Sequence, residues 1–185
     1  MPLSAPLIID TARRLLLSYG LQDVSMRRLA AELDVRPGAL YYHVANKQEL
    51  LASVAAEILS PLAESTHRMD PQQLMVEFRR LVLPIRDGGD LMLIAFGLDP
   101  ELPPAPGLRA GLLADGHSPE DAALRCGIVL RFALGAVAAE QSAALMAGRE
   151  LVEEPSTHLA LPDSARTHTP GGAALYEEGL RLLLA

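Results

Sequence analysis

Apolar residues in the first part of the chain recur at helical spacing. Between Ala5 and Tyr19 they fall at Leu7, Ile8, Ala12, Leu15, Leu16 and Tyr19, one stripe of a helix that Gly20 stops. Ser25 stands where an N-cap would open a short helix over Met26–Leu33, with Leu29 and Leu33 on one face. Asp34 sits where the chain must turn. Pro37, at a natural first helical position, opens another short helix to about Val44. Asn46 then caps a longer helix, with Glu49 three residues on in the manner of a capping box. That helix runs through "KQELLASVAAEIL" until Pro61, which is expected to end or kink it near Ser60.

The rest of the chain reads the same way. "QQLMVEFRRLVLPI" after Pro71 is a helix closing around Pro84 to Asp87. The proline-rich stretch from Gly97 to Gly107 is a loop, followed by a short helix from Leu108 to Ala114. Ser118 and Pro119 open the longest helix, about 119–147. Residues 148–172 are polar and contain proline, the pattern of a mobile loop with at most a turn of helix. An amphipathic helix over about 173–184 closes the chain.

Composition agrees with this all-α reading. Leu and Ala dominate, and strand-favouring runs are absent. The single cysteine, Cys126, excludes an internal disulfide and a cysteine metal cage. No signal-peptide core and no apolar run of the ~18 residues a membrane span needs is evident, so a cytoplasmic protein without a membrane partner is expected. His67, His117, His158 and His168 sit singly, mostly in predicted loops, with no HExxH, phosphate loop or Rossmann glycines, so neither enzyme, cofactor nor metal site is expected.

Charge changes the picture more. The net charge is −7. Yet residues 1–60 balance six basic side chains (Arg13, Arg14, Arg27, Arg28, Arg36 and Lys47) against six acidic ones, leaving the whole excess to the remainder. A DNA-facing surface therefore has to lie in the first sixty residues. Three short helices with a four-residue turn between the second and third are the pattern of a helix-turn-helix. "VRPGALYYHVANKQELL" (residues 35–51) holds two of four tyrosines, one of five histidines and the only lysine, Lys47. With Leu40 and Val44 turned inward, Tyr41 and His43 project outward and Lys47 begins the next helix. Phenol, imidazole and ammonium all hydrogen-bond phosphate oxygens. Arg27, on the preceding helix, can reach a base edge. Taken alone, adjacent tyrosines also fit core packing, and a lone histidine or lysine fits a solvated face.

The joint spacing resolves this. "SMRRLAAELDVRPGALYYHVANKQELL" resembles the recognition region of the tetracycline-repressor (TetR) family, pattern T-x-R-x-L-A-x-x-L-G-V followed by L-Y-x-H-V-x-N-K-x-x-L-L. The resemblance implies base contact by Arg27, groove readout by Pro37, Gly38 and Ala39, and phosphate contact by Tyr41, His43 and Lys47. Asp34 replaces the family's usual glycine, a replacement a left-handed turn tolerates. Because residues 37–39 offer no side-chain hydrogen bonds, reading falls to Arg27, to thymine-methyl contact, to Arg36 or Met26, and to DNA shape. The implied architecture is an N-terminal helix-turn-helix DNA-binding domain (1–46) and a ligand-binding and dimerisation domain (47–185), with 47–60 as connecting helix. In this family a ligand moves that helix and so changes the separation of the two reading heads. With Pro61 at its end, a short lever is expected.

"RDGGDLML", "LLADGHSPEDAALR" and "FALGAVAAEQSA" resemble the ligand-binding domain of the tetracycline-repressor branch itself. That implies a homodimer through the C-terminal helices, bound to a palindromic double-stranded DNA operator and released by a small-molecule effector. The magnesium chelate that branch binds needs a histidine and an acid. Here the matching positions are Met92 and Ala139, and a thioether is a poor ligand for so hard an ion. Glu140 is next door, but about 100° away around the helix. Ala63, Leu74 and Leu108 replace the drug's hydrogen-bonding positions, and only Phe78 is kept. Leu74, Phe78, Met92, Phe96 and Phe132 thus outline a mostly apolar pocket for a mostly apolar effector; the same residues also fit simple core packing. The alternative class is a helical ligand-binding or interaction module that has lost operator binding, which retention of Arg27, Tyr41, His43 and Lys47 disfavours.

Overall fold

The computed structural model describes residues 2–65, 69–147 and 171–185. Among these the order is α1 (Ala5–Tyr19), α2 (Met26–Glu32), α3 (Pro37–Leu40), α4 (Lys47–Ser65), α5 (Pro71–Val82), α6 (Gly88–Leu98), α7 (Ala105–Ala114), α8 (Pro119–Met146) and α9 (Gly172–Leu184), with a 3₁₀ turn over Leu21–Asp23. No strand occurs among the described residues.

α1 begins and ends where its pattern demands. Ser4 accepts the Leu7 N–H, and Gly20, at φ 88°, closes the last turn onto the Leu16 carbonyl. Its inward stripe of Ile8, Ala12, Leu15 and Leu16 is buried, and α1 packs against α4, whose Leu50, Leu51 and Val54 are buried too. Arg13 of α1 lies 3.3 Å from Glu57 of α4, an ion pair without hydrogen-bond geometry.

Pro61 does not end α4. The helix continues to Ser65, so the connecting helix is not confined to 47–60 and no short lever stops at Ser60. The reason is local. Proline leaves the Glu57 carbonyl without its N–H donor, and the Ser60 hydroxyl donates to that carbonyl at 2.9 Å. The capping box at the start of α4 is also only half made. Asn46 Oδ1 accepts the Glu49 N–H at 2.9 Å, while the return contact, 3.4 Å, runs between the two side chains.

Three further expectations need correction. The third helix is one turn, Pro37–Leu40, continued by a turn over 41–43 instead of helix to Val44. The proline-rich loop is shorter than 97–107, because Gly97 and Leu98 finish α6 and Ala105 already starts α7. α8 does contain a stretch long and apolar enough to cross a membrane by length and composition. Here, however, its inner face (Ala122, Cys126, Val129, Ala133, Val137) is buried as it packs on α6, α7 and α9. The stretch 148–170 lies outside the described residues.

The body is organised around the corner between α5 and α6. Gln141 of α8 donates to the carbonyls of Leu83 (3.0 Å) and Ile85 (2.7 Å) and accepts the Gly89 N–H (2.9 Å). One amide thus satisfies the Leu83 carbonyl and the Gly89 N–H at two helix ends, and adds to the Ile85 carbonyl, which also accepts the Gly88 N–H at 2.8 Å. Leaving such groups unpaired costs about 1–3 kcal/mol. Gln141→Leu is therefore expected to lower unfolding free energy by about that amount in urea titration, with the m-value unchanged. A loss below about 0.5 kcal/mol, the range of an ordinary surface substitution, would contradict the assignment.

Candidate nucleic-acid interface and effector cleft

The interface is built on two caps and one buried leucine. Ser25 accepts the Arg28 N–H at 3.2 Å and starts α2. Asp34 takes the left-handed conformation (φ 51°), and the Val35 N–H bonds back to the Ala30 carbonyl at 2.9 Å, which fixes the turn. Arg36 caps α3 in extended conformation and Pro37 occupies its first position. Leu40 is fully buried and anchors the short helix, with Val44 half-buried beside it. Around Leu40, Arg36, Pro37, Gly38, Tyr41, Tyr42 and His43 are exposed, and Ala39 is half-buried. Tyr42 is 90% exposed, which makes core packing of the tyrosine pair untenable.

The six cations of the first sixty residues divide into two sets. Arg13 and Arg14 both pair with Asp10, and Arg13 also with Glu57. Arg28 pairs with Asp23 and lies 4.0 Å over the Tyr19 ring. Arg27, Arg36 and Lys47 have no ion pair or side-chain hydrogen bond with any described residue. Arg27 and Arg36 are exposed, and half-buried Lys47 is the first residue of α4. The surface that carries Tyr41 and His43 thus also carries the unneutralised positive charge, as phosphate contact requires.

In the body, the five candidate ligand residues separate. Leu74, Phe78 and Met92 are fully buried. Phe96, half-buried, meets Phe78 edge-on with ring centroids 6.3 Å apart. Phe132 stacks on Tyr176 of α9 at 5.7 Å, close against Gly179. The Tyr176 hydroxyl donates to the Met75 carbonyl at 2.9 Å, and burial holds its pKa well above the ordinary phenol value. Met92 is buried while Ala139 is exposed, and Glu140 turns to Arg79 in a two-pronged pair of 2.6 and 3.1 Å. His117 lies 2.7 Å from Asp121 at the start of α8; His67, His158 and His168 lie outside the described residues.

A half-open cleft of about 340 Å³ lies between α6, α7 and α8. Of the five candidates only Phe96 lines it. Its other walls include Arg109, Cys126, Leu130, Arg131 and Leu134, which the sequence reading did not single out. For Cys126, Leu130 and Leu134 the signal was their i, i+4, i+8 spacing on one face of α8; Arg109 and Arg131 carry no such pattern. Glu101 at the mouth is hydrogen-bonded by Arg109, which holds its carboxyl below the ordinary range, and burial raises the Cys126 thiol.

Residues 8–54 match the family described as bacterial regulatory proteins, tetR family. The chain is 30% identical over 191 residues to the tetracycline repressor protein class C of Escherichia coli, covering 96% of this chain and 87% of that one. In structure it resembles crystalline BioQ of Mycobacterium smegmatis, with TM-score 0.77, 30% identity, and coverage of 99% of this chain and 96% of that one. A second similar structure is BioQ with its double-stranded DNA operator, with TM-score 0.75, 29% identity and coverage of 99% and 96%.

The division of the cations can be checked without DNA. Arg28→Ala removes a ring contact and an ion pair and is expected to lower stability by about 0.5–1 kcal/mol. Arg27→Ala should stay within about 0.5 kcal/mol of the parent. Chemical denaturation of both variants tests this, and equal losses would contradict the division.

Proposed function

Because the chain belongs to the TetR family of bacterial regulatory proteins, we propose that it is a sequence-specific, DNA-binding transcriptional repressor released from a palindromic operator by a small, mostly apolar effector. The observation that carries this reading is the segregation of charge: Arg27, Arg36 and Lys47 lack acidic partners on the surface that exposes Tyr41 and His43. The body, by contrast, carries the whole negative excess.

In this reading Arg27 contacts a base edge, and Pro37, Gly38 and Ala39 lie close to the groove floor with Arg36 beside them. Tyr41, His43 and Lys47 hold phosphates. Residues 1–46 form the reading head and 47–185 the sensing and dimerising body. A homodimer would pair α8 and α9 of each subunit as a four-helix bundle. The exposed apolar residues Leu124 and Ile128 on α8 and Leu175 and Leu182 on α9 favour that pairing. The protein then works in the cytoplasm by binding, not by catalysis. Of the five apolar candidates, Phe96 is the one an effector would press on directly, with Phe78 edge-on to it; Leu74, Met92 and Phe132 do not line the cleft.

A shift assay on fragments containing the protein's own promoter tests operator binding. Arg27→Ala should cost about 1–3 kcal/mol and relax preference at one base pair per half-site. Lys47→Ala should weaken all sequences alike and reduce the salt slope by about one. Unchanged operator preference in Arg27→Ala would refute the docking. Release should also be indifferent to EDTA, since Met92 and Ala139 stand where the magnesium-binding branch needs a histidine and an acid. Release that requires magnesium would refute the metal-free reading.

A further inference from the structure

The cleft between α6, α7 and α8 has a charge bias that a purely apolar ligand does not use. Its lining carries two arginines against one glutamate, in a chain of net charge −7. Arg109 is taken up by Glu101, which it meets through two guanidinium nitrogens. Arg131 has no acidic partner among the described residues. Its Nη1 reaches only the Gly127 carbonyl of its own helix, at 2.9 Å. The guanidinium is exposed and lies close over Gly127, 2.9 Å from where a Cβ there would stand. A guanidinium has five N–H donors, and a carboxylate is its matched two-pronged acceptor. The opposite character is supplied by Phe96, Leu130 and Leu134.

We propose that this cleft takes an amphipathic carboxylic acid, its carboxylate on Arg131 and its apolar body against Phe96, Leu130 and Leu134. The proposal rests on the effector reading above and narrows the mostly apolar effector to a molecule with one acid group. A neutral ligand gains no ionic contact from the exposed Arg131, and a cation is repelled. A dianion finds only one guanidinium without an acid. The volume, about 340 Å³, is near the lower end of the ~300–1,000 Å³ usual for small-molecule sites, so the ligand is compact.

Decanoate, decanol and decylamine share one apolar chain and differ in the headgroup. Titrated calorimetrically into the dimer below their aggregation limits, decanoate is expected to bind at least about tenfold more tightly than decanol, a difference of 1.4 kcal/mol, and decylamine not at all. Arg131→Gln should erase the acid's advantage while the protein stays dimeric by light scattering. Equal binding of decanoate and decanol, or no decanoate binding, overturns the proposal. So does decanoate binding that survives Arg131→Gln, or dissociation of that variant, which would assign the guanidinium to the subunit contact. Decanoate binding that depends on Arg131 but does not release the operator supports the cleft assignment and refutes the effector reading.

Discussion

One carboxylate ties the reading head to a corner of the body. Asp87 stands at the α5–α6 corner in the left-handed conformation (φ 57°) and does not cap its own helix. Instead its Oδ2 accepts the Leu21 N–H at 2.8 Å, across 66 residues. The partner segment is shaped to admit it. At Gly20 the backbone has φ 88°, and a Cβ there would lie 2.6 Å from the Asp87 oxygen. Only glycine meets both demands. The same corner is gripped from the other side by Gln141 of α8. A movement of α6 or α8 therefore reaches the head through a hydrogen-bonded joint as well as through the continuous helix α4. Two connections at different points resist rotation in a way that one helix cannot. A ligand shifts such an arrangement only as far as it prefers one shape over the other, typically by about 1–3 kcal/mol.

Charge follows the same division of labour. Asp10, Asp23 and Glu57 neutralise Arg13, Arg14 and Arg28, and the Arg13–Glu57 pair ties α1 to α4. The cations without acids lie on the recognition surface. Individually the exposed pairs add little stability. Their larger effect is to decide which arginines remain open to phosphates. The body, on the far side of the joint, carries the whole negative excess, which disfavours nonspecific contact with phosphates there.

Much of this was legible in the chain. α1 shows both its stripe and its stop, and Ser25, Asp34, Pro37 and Asn46 punctuate the head where the backbone caps and turns. α6 gave no such signal, because Leu91, Met92, Leu93, Ile94, Phe96 and Leu98 surround the helix and leave no periodicity to read. Pro61 misled for a different reason: the rule holds for the bare backbone, and the Ser60 hydroxyl supplies the missing donor. The candidate site divides likewise. The recognition residues are contiguous and carry a motif, so they could be named from sequence. Arg28 could not be separated from Arg27 until Tyr19 and Asp23 were seen beside it. Arg109 and Arg131 of the cleft come from two helices with no local pattern in common.

The joint between head and body is tested most directly by the exchange rate of the Leu21 amide hydrogen. Its N–H is donated to Asp87, so the loss of protection in Asp87→Ala reports that contact. The account predicts slow exchange at Leu21 in the parent protein and rapid exchange in Asp87→Ala, with the amides of α1 still protected in both. Rapid exchange at Leu21 in the parent protein would show that the joint is not held in solution and would contradict it.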